Sequence, residues 1–140
     1  MRRLVLLVVS TALLLAACGG ENASTLDGTS WDYFAYELGD GVVEVFPGTQ
    51  PTLAFEGDVV SGSDGCNDFT GTYEISSGNM IEIGQLASTQ RACEEDVMFQ
   101  ADVILSILGA VILYDKTSGD ELFMRTGSAD FLGYNRVSDE

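Results

Sequence analysis

The sequence predicts an α+β domain: a mostly antiparallel sheet or barrel of about seven to nine short strands, interrupted by one α-helix. Short runs rich in aromatic and β-branched residues recur about every ten residues. Clusters of Gly, Asn, Asp and Ser punctuate them. A single run, Glu94 to Leu108, instead repeats its apolar residues at three- and four-residue spacing.

In chain order, Trp31 to Leu38 is an aromatic-rich strand, and Gly39-Asp40-Gly41 is a turn into a second strand, Val42 to Phe46, which Pro47-Gly48 ends. Thr52 to Phe55, Val59 to Ser63, Phe69 to Ile75 and Met80 to Ile83 follow, with Glu56-Gly57-Asp58 and Ser76-Ser77-Gly78-Asn79 turning between them. The helix starts with Glu94, Glu95 and Asp96, where negative charge suits the helix dipole. Val97, Ala101, Ile104, Leu105 and Leu108 form its apolar stripe, and Gly109 is placed to end it. Gln100 and Asp102 interrupt the apolar stretch, which favours a buried helix over a membrane span. Val111 to Tyr114, Glu121 to Arg125 and Asp130 to Val137 complete the strands.

The N-terminus has the three parts of an export signal: Arg2 and Arg3, an apolar run from Leu4 to Leu15, and small residues before Cys18. The run falls short of the about 20 apolar residues a spanning helix needs. Leu15-Ala16-Ala17-Cys18 looks like a lipobox, in which the Cys18 thiol is acylated and becomes the first residue of the mature chain; a plain signal with an incidental cysteine is the alternative. The expected organisation is a signal peptide over residues 1–17, a flexible tether over 18–25 and one domain over 26–137. Export places the domain in the cell envelope, anchored to a membrane by lipid. Gly19 favours the outer membrane where there are two, and the outer face of the membrane where there is one.

Removing residues 1–17 takes away two of six basic residues and none of 22 acidic ones, moving the formal charge from −16 to −18. Nucleic acid and anionic lipid surfaces, bound through excess Lys and Arg, are poor partners for such a chain, and no nucleic acid is expected. With Cys18 assigned to lipid, Cys66 and Cys93 remain, and an oxidising compartment favours pairing them. Neither lies in a CxxC, and no His accompanies them, so a structural bridge is favoured over a redox or metal site.

Several fragments fall in a recognisable order: Leu26-Asp27-Gly28-Thr29-Ser30-Trp31, Pro51-Thr52-Leu53-Ala54-Phe55, the segment from Gly62 to Tyr73 with its Gly-Cys-Asn-x-Phe-x-Gly-x-Tyr core, and Leu86 to Thr89 with Ala92-Cys93. Together they resemble the META domain family, which includes HslJ-like heat-inducible lipoproteins associated with novobiocin resistance. The resemblance covers about Leu26 to Val137 and implies a barrel-like sheet, cracked open and interrupted by one helix; it carries no enzymatic mechanism. The motif residues Trp31, Gly65, Asn67, Phe69, Gly71 and Tyr73 have structural roles to fill. Gly62, Gly65 and Gly71 suit positive φ or close backbone approach, Asn67 suits a turn, and Phe69 and Tyr73 share one strand face and are expected against Trp31 or the helix.

Without His, the usual general base, the serine triad and most zinc sites are absent. Glycine-rich Gly62 to Gly71 lacks the Lys of a phosphate loop. Among 22 acids, some carboxylate pair will be close by accident, so such a pair diagnoses no glycosidase. Asp64 and Asp68 could meet Glu94 or Glu95 across a Cys66–Cys93 bridge, but lack the calcium-loop pattern. No cofactor and no metal is expected. The readings kept are a monomeric, non-enzymatic, lipid-anchored envelope protein that binds or supports another envelope protein, and a carrier of a small apolar ligand or peptide in the barrel interior.

Overall fold

The computed structural model describes residues 26–39, 41–117 and 120–138; the signal segment, the tether and Cys18 lie outside them. The strands are β1 (Thr29–Leu38), β2 (Gly41–Glu44), β3 (Thr52–Glu56), β4 (Val59–Ser63), β5 (Asp68–Ile75), β6 (Ile81–Ile83), β7 (Ala87–Ser88), β8 (Val111–Lys116), β9 (Glu121–Thr126) and β10 (Phe131–Arg136). The helix α1 (Glu95–Leu108) falls between β7 and β8.

Eight strands run in the order β6-β5-β4-β3-β1-β10-β9-β8, all neighbours antiparallel. The terminal strands β6 and β8 approach each other again through a bridge between Met80 and Leu113, so the sheet is a nearly closed barrel with one seam. The short strands β2 and β7 attach to β1 and β5. The expected class is therefore the observed one; β7, only two residues long, had too little pattern to be read.

Alternation explains which face is buried. On β3, Leu53 and Phe55 point inward; on β9, Leu122 and Met124 do, as do Leu132 and Tyr134 on β10. On β1 the alternation slips at a bulge between Tyr33 and Ala35, which lets both Ala35 and Tyr36 be buried. Tyr33 meets Tyr134 edge-on at 5.1 Å, and Phe55 meets Tyr73 at 4.8 Å. Val103, Ile104, Ile107 and Leu108 of α1 join the same core. Large side chains from the sheet and from α1 thus line the interior together.

The helix runs over Glu95–Leu108 and stops where the sequence places its end. Gly109 ends it in ordinary right-handed conformation (φ −69°), its N–H donating to Leu105 O, so no left-handed cap is used. Gln100 is buried. No helix among the described residues is long and apolar enough to cross a membrane.

Gly62 shows how tightly the sheet closes. A Cβ there would stand 2.0 Å from the Thr52 carbonyl oxygen and 3.0 Å from the Phe69 ring. Gly62→Ala therefore forces β3 and β4 apart and is expected to cost about 3 kcal/mol, read as a fall of roughly 10 °C or more in a thermal melt. Tyr33 offers the opposite sign. Its hydroxyl is buried with no partner among the described residues, and burial, with Tyr134 and Tyr36 beside it, holds the phenol well above its ordinary range, so it stays protonated. Tyr33→Phe keeps the ring and removes an orphan donor, and is expected to raise stability by about 1 kcal/mol in urea denaturation.

Candidate functional site

The turn between β4 and β5 is built by Asp64. Its Oδ1 accepts the N–H groups of Cys66 at 2.8 Å and Asn67 at 2.6 Å, while its own N–H donates to Asn67 O at 3.0 Å. Short acidic side chains favour such a turn because they reach their own backbone two or three residues on. Gly65 sits within it at φ +97°, with Gln100 Nε2 only 2.9 Å from where a Cβ would be. Both the left-handed backbone and the lack of room demand glycine there.

Asn67 then stitches this turn to the segment entering the helix. Its Oδ1 accepts from Arg91 N at 2.6 Å and Thr89 Oγ1 at 3.1 Å. Thr89 also exchanges backbone contacts with Asp68: Asp68 N–H donates to Thr89 Oγ1, and Thr89 N–H to Asp68 O. Arg91 Nη2 reaches Asp68 Oδ2 at 2.6 Å, an exposed pair of small energetic weight. The Cys66–Cys93 disulfide, Cα atoms 6.1 Å apart, closes the same corner covalently. Glu94 follows directly as the residue flanking α1.

Gln100, one turn into the helix, ties this corner to the loop after β2. Its Oε1 accepts Phe46 N–H at 2.6 Å, and its Nε2 donates to Thr49 Oγ1 at 3.2 Å. Cys66, Val97 and Ala101 form a small second core beneath, with Phe46 and Cys93 against it. Sequence reading took Gln100 as an interruption. The available signal was its position between Val97, Ala101 and Ile104, on the buried stripe, where a polar group must find partners.

Between this corner and the helix lies a cleft of about 380 Å³, walled by Asp64, Asn67, Thr89 and Arg91 on one side and by Met98, Asp102 and Leu105 on the other. Asp64 is fully buried and its Oδ2 has no hydrogen-bond partner among the described residues. The cleft offers carboxylate, amide and guanidinium groups for recognition. Both of its neighbouring sulfurs are oxidised, so it holds no thiol nucleophile.

The carboxylates weighed for calcium are placed otherwise: Asp64 holds the turn, Asp68 faces Arg91, and Glu94 and Glu95 are exposed at the helix start. Among the described residues no three His, Cys, Asp or Glu side chains are grouped to hold a metal ion.

The other motif residues lie in the barrel wall. Phe69 and Tyr73 are buried on one face of β5, with Phe69 over Gly62 and Tyr73 edge-on to Phe55. A Cβ on Gly71 would meet Leu86 Cδ2 at 2.8 Å, so Gly71 serves close approach, not positive φ. Trp31 is fully buried, its Nε1 donating to Thr29 Oγ1 at 2.8 Å. Thr29 Oγ1 in turn donates to Leu26 O.

The META domain family model matches residues 24–138. The chain belongs to the META domain family. No curated protein matches the sequence. Among solved structures, an NMR structure of a protein from Burkholderia xenovorans is similar at 24% identity and TM-score 0.72, over 84% of this chain and 87% of that one. A crystal structure of a DUF4847 family protein from Bacteroides vulgatus is similar at 10% identity and TM-score 0.59, over 82% of this chain and 96% of the other. At these identities the likeness is one of fold. Within the META domain, the signature segment from Gly62 to Tyr73 is thus the turn, the close strand crossing and the anchor of the helix.

Removing the bridge tests how much this corner depends on it. Replacing Cys66 and Cys93 together by Ala is expected to lower stability by about 3 to 4 kcal/mol, with matching loss on reducing the native chain, both read by urea denaturation.

Proposed function

We propose that this META domain protein is a lipid-anchored, non-enzymatic protein of the cell envelope that binds or supports another envelope component. The observation that carries the reading is how the family's polar signature groups are used. Asp64 Oδ1, Asn67 and Thr89 spend their hydrogen bonds on one another's backbone and side chains, and Cys66 and Cys93 are joined. A nucleophile and base held within reach of each other, which acyl transfer or hydrolysis needs, is not what these residues form. A rigid surface is what they form.

Anchoring is argued from the sequence. Leu15-Ala16-Ala17-Cys18 carries the lipid site, and residues 18–25 the tether. Acyl chains contribute about 0.8 kcal/mol per buried CH₂, so two or three hold a domain on a membrane. The location that follows is the outer membrane in a two-membrane cell, or the outer face of the membrane in a cell with one. The strongly acidic body suits a solvated surface facing away from anionic headgroups.

Mass spectrometry of the purified mature protein is expected to find an acylated Cys18 as first residue, and Cys18→Ser to move the protein from the membrane to the soluble fraction. Crosslinking in intact cells followed by purification is expected to recover one reproducible envelope partner. An unacylated, full-length chain, or repeated recovery of nothing, would overturn the anchor or the binding role respectively.

A further inference from the structure

We propose that the cleft between the β4–β5 turn and α1 binds a primary ammonium group carried on a short apolar stem, with Asp64 Oδ2 as its acceptor. This deepens the binding role above, on which it rests, by giving it a site and a ligand chemistry.

The turn uses only half of the Asp64 carboxylate. Oδ1 accepts both turn N–H groups, from Cys66 at 2.8 Å and from Asn67 at 2.6 Å. Oδ2 is left without a donor among the described residues, although Asp64 is 0% exposed. Buried polar atoms are nearly always hydrogen-bonded, and a charged oxygen loses most when it is not. Asp64 lines the cleft of about 380 Å³, so a donor entering that space meets the one carboxylate oxygen the turn leaves unused.

The cation already beside the cleft is held elsewhere. Arg91 lines it, but Arg91 Nη2 goes to Asp68 Oδ2 at 2.6 Å. The Asn67 side-chain oxygen is likewise occupied, by Arg91 N–H and Thr89 Oγ1. Asp102, exposed on the facing wall, adds a second carboxylate. With Arg91 and Asp68 offsetting each other, Asp64 and Asp102 leave the cleft negative, and a cleft lined by one sign of charge concentrates the opposite ion.

Geometry selects among cations. A guanidinium reads a carboxylate through two parallel bonds, one to each oxygen. Asp64 offers a single oxygen, an arrangement that suits a compact ammonium with three donors. The helix wall defines the stem. Met98, Asp102 and Leu105 follow at four- and three-residue spacing and share one face of α1, with Ala101 beside them. Met98 is 40% exposed and Leu105 is partly buried, so methylene groups lying along them lose water while the ammonium reaches Asp64. A lysine side chain has this form, and so has a free alkylamine.

The test follows amide signals of the isotope-labelled, purified chain by NMR as Nα-acetyl-lysine methylamide is added. The matching norleucine derivative keeps the stem and lacks the ammonium, and the arginine derivative carries a guanidinium instead. Saturable binding is expected for the lysine derivative, with a Kd of about 1 mM or below. Binding at least about tenfold weaker is expected for the other two. Signals of Asn67, Met98 and Asp102 are expected to shift, and that of Ile83 to stay. Asp64→Asn keeps an acceptor for the turn and removes the charge, and is expected to weaken binding at least about tenfold. Asp102→Lys, at an exposed position, leaves the turn untouched and is expected to weaken binding at least about fivefold, which decides the matter if Asp64→Asn does not fold. Titrations of n-pentylamine and of a lysine-bearing pentapeptide separate the sources. Tighter binding of the peptide assigns the ammonium to a partner polypeptide and equal binding to a free amine, and both support the site. Equal binding of the norleucine and lysine derivatives, unchanged affinity in either folded variant, or no saturation would each overturn the proposal. If the crosslinking experiment still recovers a partner, the cleft assignment alone falls.

Discussion

The pairing of β1 with β10 is the constraint on which the rest of the structure depends. Strands β3 to β6 form one antiparallel meander and β8 to β10 another, and β1 lies between them, joined to β3 and β2 on one edge and to β10 on the other. Apart from the weak seam, this splice is what makes two meanders into one barrel wall. Trp31 opposite Arg136, Tyr33 opposite Tyr134 and Tyr36 opposite Leu132 set its register. The bulge after Tyr33 then puts Ala35 and Tyr36 both inside, where an uninterrupted alternation would have exposed one of them.

How the few cations are used follows from that register. Of the chain's six basic residues, set against 22 acidic ones, the described part holds Arg91, Lys116, Arg125 and Arg136. Lys116 Nζ and Arg136 Cζ lie 5.9 and 5.7 Å from the Trp31 ring, and Arg125 lies 5.7 Å from both Phe123 and Phe131. Each such contact contributes about 0.5–1 kcal/mol at exposed sites and more where water is excluded. Three of these four cations, all carried by the C-terminal meander, therefore sit on the aromatic faces of Trp31, Phe123 and Phe131, while Arg91 pairs with Asp68 at the start of β5.

The class of fold was legible because its signals are local. Leu53 and Phe55, or Leu122 and Met124, announce a strand within five residues, and Val97 to Leu108 announce a helix within four turns. The pairing of Cys66 with Cys93 was legible from a count of thiols. Strand order, the seam and the bulge were not, because they depend on residues far apart in the chain. The glycines divide in the same way. Sequence allowed either positive φ or close approach for Gly62, Gly65 and Gly71; only the crossing of Thr52 over Gly62, the packing of Leu86 on Gly71 and the left-handed turn at Gly65 separate the two. The role of Gln100 was not legible because its partners, Phe46 and Thr49, lie more than 50 residues upstream.

Because the first strand closes on the last, a chain emerging N-terminus first has no partner for the free edge of β1 until Phe131 to Arg136 have followed. Contacts of such wide sequence separation form late and slowly. A polypeptide of this design completes its barrel wall only once its last strand is available to pair with its first.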